Sequence, residues 1–271
     1  MAARKPLIPV PKFRPYTLKL AELCAIDLWN GIDYETGKTM EISDEELLVD
    51  FAVPFKHLYE NPQTSIQISE YSIRRLIRVG RLKALFRSTQ GTDFPAGIAA
   101  IKTKVLPTYD GWRNGTLKLV DTGYGLKSTL DLGASFVTSV SAPTINGNYR
   151  VPLASRLLFY MTPDMKVFNF SNGLAKAMQL QSRPQAAIGE FSVQMQIGLD
   201  KNINEFQKLK PPKPKLLGED FWIHISKSDW WQRRVLDLAM LLQFNVLTAR
   251  PALQAQARSY VASLQPVKKI I

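Results

Sequence analysis

The residues best suited to chemistry lie between Val151 and Ala177, VPLASRLLFYMTPDMKVFNFSNGLAKA, where Arg156, Asp164 and Asn169 fall on a helix, in a tight turn and ahead of a second helix. An apolar helix, a Pro-Asp turn and a polar-capped helix on a basic chain can set a reactive pocket beside an element that grips phosphate. A second concentration is WWQRRVLD, in which Trp230 and Trp231 adjoin Arg233 and Arg234. Aromatic faces stack on bases and guanidinium groups meet phosphates or ring faces, so this is the best aromatic-basic cluster of the chain. Neighbouring positions on a helix point about 100° apart, so one of the two indoles is expected at the surface. The third is SEYSIRRLIRVGRLKALFR, where Ile73, Leu76, Ile77, Leu82 and Leu85 make an inner stripe and Arg74, Arg75, Arg78, Arg81, Lys83 and Arg87 occupy the rest. That face could neutralise several phosphates, or be an ordinary solvated one.

Other chemistries are narrowed by what is scarce. Cys24 is the single cysteine, which excludes an internal disulfide and a cysteine-based zinc cluster. His57 and His224 lie far apart and outside any H-E-x-x-H spacing, so no metal site is expected. EISDEELLVD gathers Asp44, Glu45 and Glu46, which would suit a metal-dependent nuclease that a chelator silences. Acids at a helix start are explained better by capping and the helix dipole.

The chain of 271 residues carries 35 Lys and Arg against 23 Asp and Glu, a net charge of +12. With a pI near 9.7, a polyanion is the first partner to expect, while a membrane surface or an acidic protein would also suit the charge. No apolar run reaches the roughly 18 to 20 residues that span a bilayer, and the N-terminus lacks an apolar signal core. A cytoplasmic protein is expected.

Positioning these residues requires a mainly α fold. Residues 1–16 hold Pro6, Pro9, Pro11 and Pro15 among Arg4, Lys5, Lys12 and Arg14, and read as an extended arm, laid across DNA or strapped to the domain. From Thr17 the spacing is helical until Gly31, and the body is expected to fill 17–271, possibly as two subdomains flanking a cleft. Ser43 opens a helix that Pro54 should bend or break. Short helical spacing over 94–105 leads to a turn-rich connector over 108–125; LKSTLDLGASFVTSV reads as helix or strand, and 141–149 as a loop. A long polar helix is expected over 188–210, stopped by PPKPK, then helices over SDWWQRRVLDLAMLLQF, capped by Ser228 or Asp229, and RPALQAQARSYVASL.

Two of these segments, PLASRLLFYMTPDMKVFNFSNGLAKAM and WWQRRVLDLAMLL, resemble bacterial proteins with the fold of 8-oxoguanine DNA glycosylases, in the helix-hairpin-helix glycosylase superfamily. The resemblance spans about a third of the chain. In those relatives an A-S-K-L-L helix leads through a Pro-Asp turn to an aspartate, and an aromatic-Arg-Arg helix completes the domain. The resemblance implies a helix-hairpin-helix helical domain acting on duplex DNA, with base flipping, excision to an abasic site and no cofactor. A role against modified foreign DNA would suit it.

Arg156 falls where amine-attacking members carry lysine, and a guanidinium that stays protonated cannot form a Schiff base. The aspartate is also missing: Phe168, Asn169, Phe170, Ser171 and Asn172 occupy its neighbourhood. Asn169 could position a water, or Asp164 could steady an oxocarbenium-like sugar; equally, Asp164, Asn169 and Ser171 could be turn and cap residues. The hairpin counterpart is INGNYRVP, in which Asn146, Gly147, Asn148 and Arg150 would approach a phosphate with one glycine only. An extruded base would need a sandwich of apolar surfaces, for which Phe168, Phe170, Trp230 and Trp231 are the candidates. The alternative is a non-catalytic DNA-binding module that kept the fold and lost the acid.

Overall fold

The computed structural model describes residues 7–61, 106–114, 151–180 and 184–264. Among them are helices and no strand, with one isolated antiparallel bridge between Ile32 and Thr39. The expected helices over 69–87 and 94–105, the segment 126–140 and the loop 141–149 lie outside the described residues.

Helix α1, Pro15–Trp29, starts two residues before the expected Thr17 because Pro15 takes the first helical position, where its fixed φ suits the helix and its missing N–H costs nothing. It stops at Gly31, whose φ of +70° is the left-handed conformation that glycine adopts without strain. Helix α2, Asp44–Glu60, opens with a reciprocal cap: the Glu46 N–H donates to Ser43 Oγ at 3.1 Å and the Ser43 N–H to Glu46 Oε2 at 2.6 Å. Pro54 neither ends nor breaks this helix. Buried Phe51, Ala52, Phe55 and Leu58 anchor it on both sides of the proline, outweighing the roughly 3 kcal/mol that an interior proline costs.

Helix α3, Leu106–Arg113, occupies part of the expected connector. Helices α4, Val151–Met161, and α5, Asn172–Ala177, flank the Pro-Asp turn as the sequence predicts. The long polar helix expected over 188–210 is instead α6, Pro184–Lys201, and a single turn α7, Ile203–Phe206. Asn202 divides them, its Oδ1 accepting the Phe13 N–H at 2.9 Å and its Nδ2 donating to the Gly198 carbonyl at 2.8 Å. Far from being polar all round, α6 buries Ile188, Phe191, Met195 and Leu199.

Helix α8, Glu219–Ser226, has no counterpart in the sequence reading. Helices α9, Trp230–Gln243, and α10, Pro251–Ser263, lie where expected. At the start of α9 it is Ser228 Oγ that accepts the Trp230 N–H, at 3.3 Å.

The body is organised round α9, with α1 packed against both α9 and α10, α6 also against α9, and α2 against α4. The described part of the N-terminal arm is a strap on this body. Val10 and Phe13 are buried, the Lys201 ammonium donates to the Val10 carbonyl at 2.9 Å, and the Phe13 ring meets Phe206 edge-on. A Cβ at Gly198 would come within 3.1 Å of Val10 and 3.2 Å of Leu236, so glycine is what lets strap and α9 approach α6 together.

Candidate functional site

The bend between α4 and α5 is a sealed piece of core. Thr162, Met165, Val167, Phe168, Asn169 and Phe170 are all buried. Its backbone is satisfied internally: the Phe170 N–H donates to Ser155 Oγ at 2.9 Å, Met165 N–H to the Thr162 carbonyl at 3.0 Å, and Ser171 Oγ caps α5 through Leu174. Irregular backbone still leaves carbonyls without partners, and Arg233 supplies the donors. Its Nη1 donates to the Val167 carbonyl at 2.6 Å, its Nη2 to Pro163 at 2.5 Å and its Nε to Asp229 Oδ1 at 2.7 Å, with the guanidinium 5.5 Å from the Phe159 ring centroid. A fork of five rigid donors is suited to tying a turn in this way.

Arg233 and Arg234, expected to face DNA, are both buried. Arg234 grips Asp44 with two bonds, Nε to Oδ2 at 2.6 Å and Nη2 to Oδ1 at 3.1 Å, and reaches Asp237 Oδ2 at 3.1 Å. The Tyr160 hydroxyl donates to Asp44 at 2.6 Å, and Asn169 Nδ2 lies 3.5 Å from Asp237 Oδ2. One guanidinium thus faces two buried carboxylates. Half-buried Arg156 supplies a second positive charge, acting on both Asp237 and Tyr160. Burial raises the Asp237 carboxyl above its usual range even though Arg234, Arg156 and Asn169 pull it down. Burial likewise raises the Tyr160 phenol.

Trp230 and Trp231 are buried together, contrary to the expectation that one is exposed. Trp29 of α1 packs on both, with centroids 6.2 Å away in each case, and Trp230 Nε1 donates to the Phe159 carbonyl at 3.0 Å. Because α9 is enclosed from several directions, adjacent positions can both face core. Phe168 is buried and Phe170 packs on Phe191 at 4.9 Å, so these rings too are occupied by protein. The four residues proposed to sandwich a base are core side chains.

Asp164 goes elsewhere. Its Oδ2 accepts from the Tyr109 hydroxyl at 2.6 Å and lies 3.5 Å from Arg113 Nη1 and 3.6 Å from His224 Nε2. Three elements, α3, the turn and α8, therefore converge on one carboxylate. Asp164 caps no helix, and Asn169 belongs to the Arg234 network, so the two proposed catalytic residues sit in separate clusters. Arg156 and Asn169 do converge, through Asp237. The Asp164 carboxylate and burial raise the Tyr109 phenol, leaving a hydrogen-bond donor and no ready nucleophile. Tyr109 is held in turn by edge-on contacts with Phe55 and Tyr59.

The acids once grouped as EISDEELLVD have three separate tasks. Glu46 caps α2, Asp44 holds Arg234, and Glu45 Oε1 accepts the N–H groups of Lys215, Leu216 and Leu217 at 2.6, 2.6 and 3.1 Å. Among the described residues no group of three His, Cys, Asp or Glu could hold a metal, and no helix is long and apolar enough to cross a membrane. Buried Cys24 has its thiol pushed up to about 12, chiefly by burial and then by Asp27, which keeps it an inert packing residue.

Arg74, Arg75, Arg78, Arg81, Asn146, Gly147, Asn148 and Arg150 lie outside the described residues. The distribution of charge is nonetheless plain. The described residues carry 19 Lys and Arg and 19 Asp and Glu, so the entire surplus of +12 falls in the remainder. Sequence reasoning missed Tyr109, Arg113, Asp237 and the role of His224. A Tyr and an Arg four residues apart in LPTYDGWR share a helix face, the one local signal that could have joined two of them. No protein-family model, no curated protein and no solved structure matches this chain.

Proposed function

We propose that the protein is a duplex-DNA-binding module that grips the phosphate backbone and does not excise bases. The observation that carries this reading is the charge division: a neutral helical body, with the whole positive surplus in the segments beside it. From Tyr71 to Gly91 the chain has six cationic residues and no acid, and Arg74, Arg75, Arg78 and Arg81 are the proposed phosphate contacts. Phosphate neutralisation supplies sequence-independent affinity without any reactive pocket.

Base excision is left aside for two physical reasons. A flipped base must lie between free apolar surfaces, and Phe168, Phe170, Trp230 and Trp231 are each covered by protein. The acid and the sugar-facing residue must also share a site, whereas Asp164 pairs with Tyr109 and Asn169 with Asp237. The test is a pair of assays on one preparation: retention of plain duplex, and formation of abasic sites on a panel of modified duplexes. Retention with no abasic product is expected; product that accumulates with time overturns the reading.

A further inference from the structure

On the side of the body away from the bend, α1, the turn after α7 and the end of α10 enclose an open groove of about 440 Å³. Leu18 and Leu209 form part of an apolar lining, and Tyr260 and Leu264 stand at it with 41% and 55% of their surface in water. We propose that this groove is the contact surface of a symmetric homodimer, with Tyr260 and Leu264 of each protomer entering the groove of the other.

The charges at the groove favour a second copy over other occupants. Each of two walls carries one cation and one acid, Lys19 with Glu22 at 2.8 Å and Lys208 with Glu205 at 3.1 Å, so the rim is neutral and attracts neither a polyanion nor a polycation. Along the chain the order is Lys then Glu on α1 and Glu then Lys on the facing wall. A self-complementary patch is what a two-fold contact requires, and this reversal lets each cation of one protomer meet a carboxylate of the other. The protruding groups match as well. Lys19 Nζ already sits 4.9 Å from the Tyr260 ring centroid, which fixes one ring edge and leaves the exposed remainder for a partner's apolar floor. The dimer would set two copies of the Tyr71 to Gly91 run along one duplex.

Sedimentation equilibrium on the full chain over a wide concentration range tests this directly, without DNA. The wild type is expected to rise from 30.6 kDa toward twice that mass. Leu264→Glu and Tyr260→Glu are expected to remain monomers with unchanged helical circular dichroism and melting temperature, and Lys208→Glu to dimerise more weakly. A wild type that is monomeric at every concentration overturns the proposal, as does a dimer that both Leu264→Glu and Tyr260→Glu leave intact.

Discussion

Arg234 holds two buried carboxylates with one guanidinium, an arrangement whose value depends on every member being present. Replacing it with methionine keeps much of the volume but strands Asp44 and Asp237 away from water. We expect Arg234→Met to lose about 3–5 kcal/mol in urea unfolding, the usual cost of breaking a buried pair from one side. A loss under about 1 kcal/mol would mean that the pair behaves like one on the surface. Asp237 gives a second prediction, with a sign opposite to that of most aspartates. Its carboxyl lies above the ordinary 3.8 because burial outweighs Arg234, so the folded state holds the proton more tightly than the unfolded chain. As pH rises past 3.8 the unfolded chain releases its proton first, and stability falls. The stability of the wild type relative to Asp237→Asn should therefore decline as pH climbs from that point through the folded pKa. A relative gain over the same range would show that ion pairing, and not burial, governs the site.

At the scale of elements, Glu45 shows how a helix start can dock a distant loop. Three consecutive N–H groups, from Lys215 to Leu217, share its Oε1, and removing it leaves them without that acceptor. We expect Glu45→Ala to cost about 2–3 kcal/mol, as for charge-assisted bonds, and to speed tryptic cleavage after Lys215. Unchanged cleavage would show that the loop is held by other contacts. How much of this was legible in the sequence follows from distance along the chain. Ser43 with Glu46, Gly31 and Pro251 are local signals, and the helix boundaries they mark are where the spacing puts them. Pro54 misleads because its cost is local while the burial of Phe51 and Phe55 that offsets it is tertiary. Helix α8 is hidden by its eight residues and by Gly218 at its start, which offers no side-chain cap. The site was least legible. Arg233 next to indoles reads as a surface patch, yet the carbonyls that need its donors, at Pro163 and Val167, lie 70 and 66 residues away. Asp164 reads as a turn residue, and its hydroxyl partner Tyr109 is 55 residues distant.

At the scale of the whole molecule, the chain divides its labour between packing and charge. Its body is electrically balanced and spends its buried ions on holding α9, α2 and the bend together, while the surplus cations lie in other segments. The strap formed by Val10 and Phe13 belongs to the body, so those residues are unavailable as an arm that wraps DNA. The measurement that tests this account most directly is the affinity for plain duplex DNA as a function of salt, in the wild type and in the variant with Arg74, Arg75, Arg78 and Arg81 all changed to Gln. The account predicts a steep fall of log affinity with log salt in the wild type, and a slope shallower by about 3–4 in the variant if each arginine meets one phosphate. Equal slopes for the two proteins, or no affinity for duplex at low salt, would contradict it.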